Sequence, residues 1–448
     1  MKKREHLIKP VLDKMYPTIM DGQGIYLYDQ DGNEYIDGSS GAVTASIGHG
    51  VDEIIKEMTK QAEKISFVYR SQFTNEPAEE LAQKLSQLSP GDLNWSFFVN
   101  SGSEATETAF KIAIQYWQER GIYTKTKVIS RWMSYHGITL GALSMSGHHA
   151  RRKRFTPLLE ESPIVSPPYC YHCPLKRTFP DCGLLCAQEL EQVIRRIGSE
   201  QIAAFIAEPI IGAAGGAITA PDGYYAEIKD ICERNDILFI ADEVMTGFGR
   251  TGKMFAIDHW GVAPDILAIG KGMGAGYTPI AATLVSDRII EEILTGSKSI
   301  MSGHTYSANP QSAAIALAVL KYIERNNLIT HANEVGTYLM SEVKRLATTH
   351  SIIGDVRGKG LLIGIEFICP YSGQRHDGNH VTEYIVETAM KQGLLLYPAA
   401  AGSEGIDGSA VLLAPPLTIT KTEVDLLVKR LEMTVVIVQR WMHKKGIV

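Results

Sequence analysis

Residues 266–276 read ILAIGKGMGAG, from Ile266 to Gly276. Four apolar residues form a strand-sized run that delivers Lys271 at its end. Glycines at 270, 272, 274 and 276 then leave almost no side chains around it. A plain reading is a strand that ends at the surface. A sharper one is an ammonium placed to touch something flat and phosphorylated. This is not a phosphate-binding P-loop, because the four-residue spacer after an earlier glycine is missing and Gly272 stands where Ser or Thr would hold magnesium. It does not open a dinucleotide-binding unit either. It lies late in the chain, and no ribose-binding acid follows about twenty residues on.

Working outward, short β-branched runs alternate with amphipathic stretches, the pattern of an α/β protein with a mostly parallel sheet. The runs predict strands at Trp95–Val99, Lys127–Ser130, Ala203–Glu208, Ile237–Asp242, Ile266–Gly270 and Ala281–Val285. Helices are expected at Glu104–Gln118, Cys186–Ile197, Gly223–Asn235 and Pro310–Arg325, the last opened by Asn309 as cap and proline in the first turn. Beyond Arg325 the pattern changes. Helices at Leu328–His350, Val381–Gln392 and Lys421–Trp441 enclose strand-like VRGKGLLIGIEF, LLLYP and AVLLAPPL, a smaller α+β unit. The N-terminal GIYLYDQDGNEYID reads as a hairpin turning at Asp31-Gly32-Asn33 and is expected to pack with that unit.

The bulk composition narrows the class. The chain has 448 residues, 45% hydrophobic and 21% charged, with a formal net charge of −6. That gives no reason to expect nucleic acid or acidic lipid as a partner. No apolar run reaches bilayer length, and no signal-peptide core follows the basic Met1-Lys2-Lys3-Arg4, so a cytoplasmic location is expected. The basic run His148–Arg154 is read as a solvated helix end. Four of the six cysteines cluster at Cys170, Cys173, Cys182 and Cys186. They could ligate zinc or pack reduced in an irregular insertion, and the second pair has the wrong spacing for a usual zinc ribbon.

Three features fall at carboxyl ends of expected strands, where open α/β sheets bind ligands. The first is NSGSEATETAFKIA, in which Gly102 and Ser103 enter a helix whose free N–H groups suit phosphate; a simple cap by Ser101 or Ser103 is the plain alternative. The second is Asp242 in FIADEVMTGFGRTG, placed to cap a turn or to hold a cationic ring nitrogen. The third is Lys271, whose amine, once desolvated, can join a carbonyl. A phosphate cradle, an acid for a pyridinium nitrogen and an imine-forming lysine together specify pyridoxal phosphate.

At this point the chain resembles the class III aminotransferases among the fold-type I pyridoxal-phosphate enzymes. The resemblance runs nearly end to end, through YIDGSSGAVTASIGHG, NSGSEATETAFKIA, SYHGITLGA, FIAEPIIGAAGG, FIADEVMTGFGRTG, DILAIGKGMGAGYTPI, GHTYSANP, VRGKGLLIGIEF and LLAPPLTIT. It implies a large domain with a mostly parallel seven-stranded sheet at 66–326, a small α+β domain at 327–448, and residues 1–65 packed with the latter. It also implies roles. Lys271 would carry the cofactor and shuttle protons, and Asp242 would pair with the ring nitrogen. Gly102 and Ser103 would hold the phosphate, Tyr135 and Val244 would press on the two ring faces, and Glu208 would line the substrate side. Thr305 would reach the phosphate of the neighbouring subunit, which implies a homodimer. Many family members place an aromatic wall where this chain has Ala42-Val43-Thr44, and a carboxylate-gripping arginine where residues 394–416 contain none. Arg70 is a candidate substitute, with a solvated surface arginine as the plain reading. The expected reaction moves an amino group from a distal amine or β-amino acid to a pyruvate-like oxo-acid. Alternatives are an aminomutase or decarboxylating enzyme of the same fold, or a zinc-binding homologue without turnover.

Overall fold

The runs Ile202–Ala207, Leu238–Asp242, Ile266–Ile269 and Ala281–Val285 are buried at every position. Strands covered on both faces need such unbroken apolar stretches. In the computed structural model, which describes residues 6–368, 378–402, 405 and 408–447, they belong to one seven-stranded sheet. Its order is Trp95–Val99, Ala281–Val285, Ile266–Ile269, Leu238–Asp242, Ile202–Ala207, Lys127–Arg131, Ile164–Val165. All neighbours pair parallel except Ala281–Val285, which runs antiparallel to both of its partners. The carboxyl ends of the other strands therefore share one edge. Register aligns them closely: Ala241 faces Ala207, and Asp242 faces Ala268. Glu208, Asp242 and Lys271 thus leave the sheet within a few residues of one line.

Most helix ends fall within a residue or two of expectation; Gly378–Lys391 starts three residues before the expected Val381, and Lys421–Lys444 runs three past the expected Trp441. The helix expected at Glu104 begins at Gly102, because Ser101 is the cap and its Oγ accepts from Glu104 N at 3.3 Å. Helix Pro310–Arg325 starts as expected, with Asn309 Oδ1 accepting from Ser312 N at 3.0 Å.

A second, antiparallel sheet takes the order Ile353–Lys359, Leu362–Phe367, Gly408–Leu413, Tyr397–Ala401. The expected strand LLLYP lies slightly off: Leu394 only bridges Ile36, and pairing starts at Tyr397. Helix Leu328–Thr349 packs on the first of these strands, and Gly378–Lys391 covers the other edge beneath Lys421–Lys444. The N-terminal strands Ile19–Gln23, Tyr26–Asp29 and Glu34–Ile36 form a meander. Its hairpin turns at Gly32, where φ is +80° and glycine carries no steric penalty. Asp29 Oδ1 secures the turn by accepting from Asp31 N at 3.0 Å and Asn33 N at 2.9 Å. The meander is tied to the C-terminal part through Leu395 N to Ile36 O at 3.0 Å and Ala414 N to Gly38 O at 2.8 Å.

A buried charge cluster joins the second sheet to the loop after Ile202–Ala207. Arg357 Nη1 donates to Glu366 Oε2 and Asp355 Oδ2, each at 2.7 Å, and Nη2 donates to Gly215 O at 2.7 Å. Tyr169 OH donates to the same Glu366 oxygen. Burial alone would raise the Glu366 carboxyl; His172, the Arg357 charge and Tyr169 outweigh it and hold it at about 2. Residues 1–5, which carry the basic N-terminal run, lie outside the described residues. Among the described residues no helix is long and apolar enough to cross a membrane.

Candidate active site

The shared strand edge opens into a cavity of about 500 Å³. Gly102, Ser103, Tyr135, Glu208, Asp242, Val244 and Lys271 all line it. Seven of the eight residues singled out in the sequence are thereby brought together. Thr305, the eighth, sits exposed in a turn and does not line the cavity of its own chain.

The site can be built strand by strand. After Trp95–Val99 the chain enters its helix at Gly102, whose N–H and that of Ser103 have no intrahelical acceptor. A Cβ on Gly102 would lie 2.6 Å from Val244 Cγ1, so only glycine lets the helix start close on that valine. Ser103 Oγ accepts from Ile138 N at 3.0 Å and anchors the segment carrying Tyr135 to this helix start. Tyr135 N donates to Glu208 Oε1 at 2.9 Å, while Glu208 Oε2 accepts from Gly212 N at 3.0 Å. Burial pushes the Glu208 carboxyl up, against the lowering influence of His136.

Asp242 is 4% exposed. Its Oδ1 accepts from Val244 N at 3.1 Å, so the plain turn-capping reading also holds. Its Oδ2 lies 2.8 Å from His136 Nδ1. His136, in the quoted SYHGITLGA but given no role there, is the partner that orients this acid. The next residue, Glu243, points away and accepts from Ile257 N at 2.7 Å, because successive strand side chains face opposite sides.

Lys271 opens a single tight turn with φ of +42°, a left-handed backbone that a lysine rarely adopts. Among the described residues its amine makes no hydrogen bond or ion pair. Protein atoms crowd it nonetheless. Burial lowers its pKa from 10.5 to about 8, outweighing the raising effect of Asp242 and Glu208, and Arg250 adds to the lowering. Arg250, in the quoted GFGRTG but given no role there, is fully enclosed. Its guanidinium donates to Leu361 O at 3.2 Å and to Pro415 O at 2.5 Å. Burial likewise takes it down to about 10.

The basic run His148–Arg154 divides in a way that corrects the reading of one solvated helix end. Arg152 Nη1 does cap the turn before it, donating to Leu143 O, Ser144 O and Ser146 O at 2.9, 2.8 and 2.8 Å. His148 and Arg151 instead line the cavity mouth. Arg70 does not line the cavity; it donates to Ser302 O at 2.6 Å and lies over Phe97. Ala42, Val43 and Thr44 do not line it either, and Val43 is buried beside Ala399 and Ala401. The clustered cysteines face a separate small cavity, and all four thiols are free. Burial, with the other three thiols nearby, pushes Cys186 up to about 12. Among the described residues no group of three or more His, Cys, Asp and Glu is placed to hold a metal ion.

A crowded lysine and an oriented acid in one glycine-floored cavity set the chemistry, and comparison with known proteins decides the family. Residues 9–435 match the model of the class III aminotransferases. The chain belongs to the class III aminotransferases. It is 53% identical to the uncharacterized aminotransferase YodT of Bacillus subtilis, over 98% of this chain and 99% of that one. It is 32% identical to the putrescine–pyruvate aminotransferase of Pseudomonas aeruginosa, over 95% of this chain and 93% of that one. Among solved structures, an amine transaminase from an uncultivated Pseudomonas species in its pyridoxal-phosphate-bound form superposes with a TM-score of 0.89. That pair is 33% identical, covering 97% of this chain and 98% of the other.

Class III aminotransferases depend on pyridoxal phosphate, and the residues present fit it. The cavity holds an unpartnered, easily deprotonated amine, an acid held on its far oxygen by His136, and a helix start whose N–H groups suit phosphate. A side chain at Gly102 would fill the space between that helix start and Val244.

Proposed function

We propose that this aminotransferase moves an amino group from a distal amine or β-amino acid to a monocarboxylic oxo-acid such as pyruvate. The carrying observation is Lys271, which stands in one cavity with Asp242 and Glu208 with its pKa brought down to about 8. The name of the putrescine–pyruvate relative supports the choice of donor and acceptor. When bound, pyridoxal phosphate supplies a ring that accepts the electron pair freed at the substrate carbon.

The chain's own residues do the rest. Lys271 Nζ would hold the cofactor, and as a free base it would take up the substrate proton and return it. Its depressed pKa keeps a usable fraction neutral at physiological pH. Asp242, oriented by His136, would keep the ring nitrogen protonated. Gly102 and Ser103 would bind the phosphate through their N–H groups. Tyr135 and Val244 would restrain the ring, and Glu208, which accepts from Gly212 N, would order that loop on the substrate side. We further read the chain as a homodimer in which Thr305 serves the neighbouring site. We divide it into a large domain at 66–326 and a small one at 327–448, with residues 1–65 joining the latter.

A panel of amines tests this reading, scored by loss of the cofactor's visible band and its recovery with pyruvate. Distal diamines and β-amino acids should bleach the wild type faster than α-amino acids. Lys271→Ala should keep the cofactor but lose turnover by several orders of magnitude. Near-normal transfer by that variant would sink the proposal.

A further inference from the structure

The cavity mouth carries charge that the cofactor does not use. Besides Glu208, Asp242 and Lys271, its charged lining residues are Arg151 and Glu383. The Arg151 guanidinium sits 5.5 Å from the centre of the Tyr135 ring. Among the described residues it makes no hydrogen bond and no ion pair, so its donors are free for a ligand. The other arginines nearby are committed. Arg152 is spent on three carbonyls, Arg131 and Arg250 are buried against fixed acceptors, and the partly buried Arg357 is held by Glu366 and Asp355. His148 packs edge-on against the same Tyr135 ring at 6.2 Å. Burial, with Arg151 beside it, lowers His148 to about 4, so at neutral pH it offers a hydrogen bond without a second positive charge.

We propose that Arg151, held over Tyr135 and flanked by His148, binds the substrate carboxylate in place of the arginine missing from residues 394–416. This rests on the aminotransferase reading above and names the group that reads the acid end of the acceptor. A guanidinium lying on an aromatic face presents its planar fork to both oxygens of a carboxylate. Glu383 on the same rim disfavours a second carboxylate, so the site suits a monocarboxylic oxo-acid better than a dicarboxylic one.

Two measurements on the cofactor-loaded protein test this. Propionate, a carboxylate without a reactive carbonyl, is titrated calorimetrically, and pyruvate is compared with propanal as amino acceptor. Arg151→Ala should weaken propionate binding and raise KM for pyruvate by about 10- to 100-fold, the scale of a lost charge-assisted hydrogen bond. KM for propanal should stay within about twofold of wild type, and Arg151→Lys should recover part of the pyruvate affinity. Unchanged propionate and pyruvate constants, or an equal loss for propanal, would overturn the assignment. So would a wild type that transfers to pyruvate yet binds no propionate. Propionate binding that depends on Arg151 in a protein transferring no amine to any acceptor would instead overturn the aminotransferase reading and leave this site standing.

Discussion

The acidity of Lys271 can be tested without any turnover. In the cofactor-free protein its amine should titrate near 8 rather than at the 10.5 of an unperturbed lysine. At pH 7 a pKa of 8 leaves about 9% of the amine neutral, against about 0.03% at 10.5, so the reactive fraction rises about 300-fold. Only the neutral form attacks an acylating reagent. Trace labelling with acetic anhydride, followed by mass spectrometry of the peptide containing residue 271, reads that fraction as a function of pH. Reactivity of Lys271 should climb through an inflection near 8 and flatten while exposed lysines such as Lys153 are still rising. The Asp242 charge raises this pKa and burial lowers it. Asp242→Asn should therefore move the inflection below the wild-type value and increase labelling at pH 7, as should Glu208→Gln. An inflection above about 9.5, or an upward move in Asp242→Asn, would refute the claim that burial dominates this site.

Two further tests follow from the packing. Gly102→Ala brings a methyl to 2.6 Å from Val244 Cγ1 and should displace the valine into the cofactor's space. Cofactor affinity, measured by fluorescence titration, should fall about tenfold, the size of a modest overpacking penalty, and recover partly when Val244→Ala is added. Glu366→Gln tests the buried cluster around Arg357. The Glu366 pKa is depressed from 4.5 to about 2. Its stabilisation is therefore present above pH 4.5 and lost as pH falls toward 2, amounting to about 3 kcal/mol when complete. Urea unfolding should show the variant weaker at pH 7 and the gap closing below about pH 4; a gap of equal size at pH 3 would discard the explanation.

The fold was legible in the sequence because its signals are local. Unbroken apolar runs such as LFIA and ILAI, bounded by turn residues, are satisfied as strands buried on both faces. Asn309-Pro310 and Ser101 announce helix starts by chemistry confined to one turn. The family motifs pointed to Lys271, Asp242 and Glu208 for a related reason: each sits at the carboxyl end of a strand, and parallel strands end on one edge. What stayed hidden depends on which way a side chain turns and on what another segment brings to meet it. Nothing local tells that Arg152 caps carbonyls while Arg151, one residue earlier, faces the cavity. Nor could spacing show that His136 would meet Asp242 across 106 residues.

The sequence by itself determined the strands of the sheet, the order of the elements and the place of Lys271 just past a strand end, since strand burial and glycine punctuation act over a few residues. Tertiary structure alone decided how acidic that lysine is and which charges face the substrate. Desolvation and electrostatic fields are summed over atoms distant along the chain, and only packing brings those atoms together.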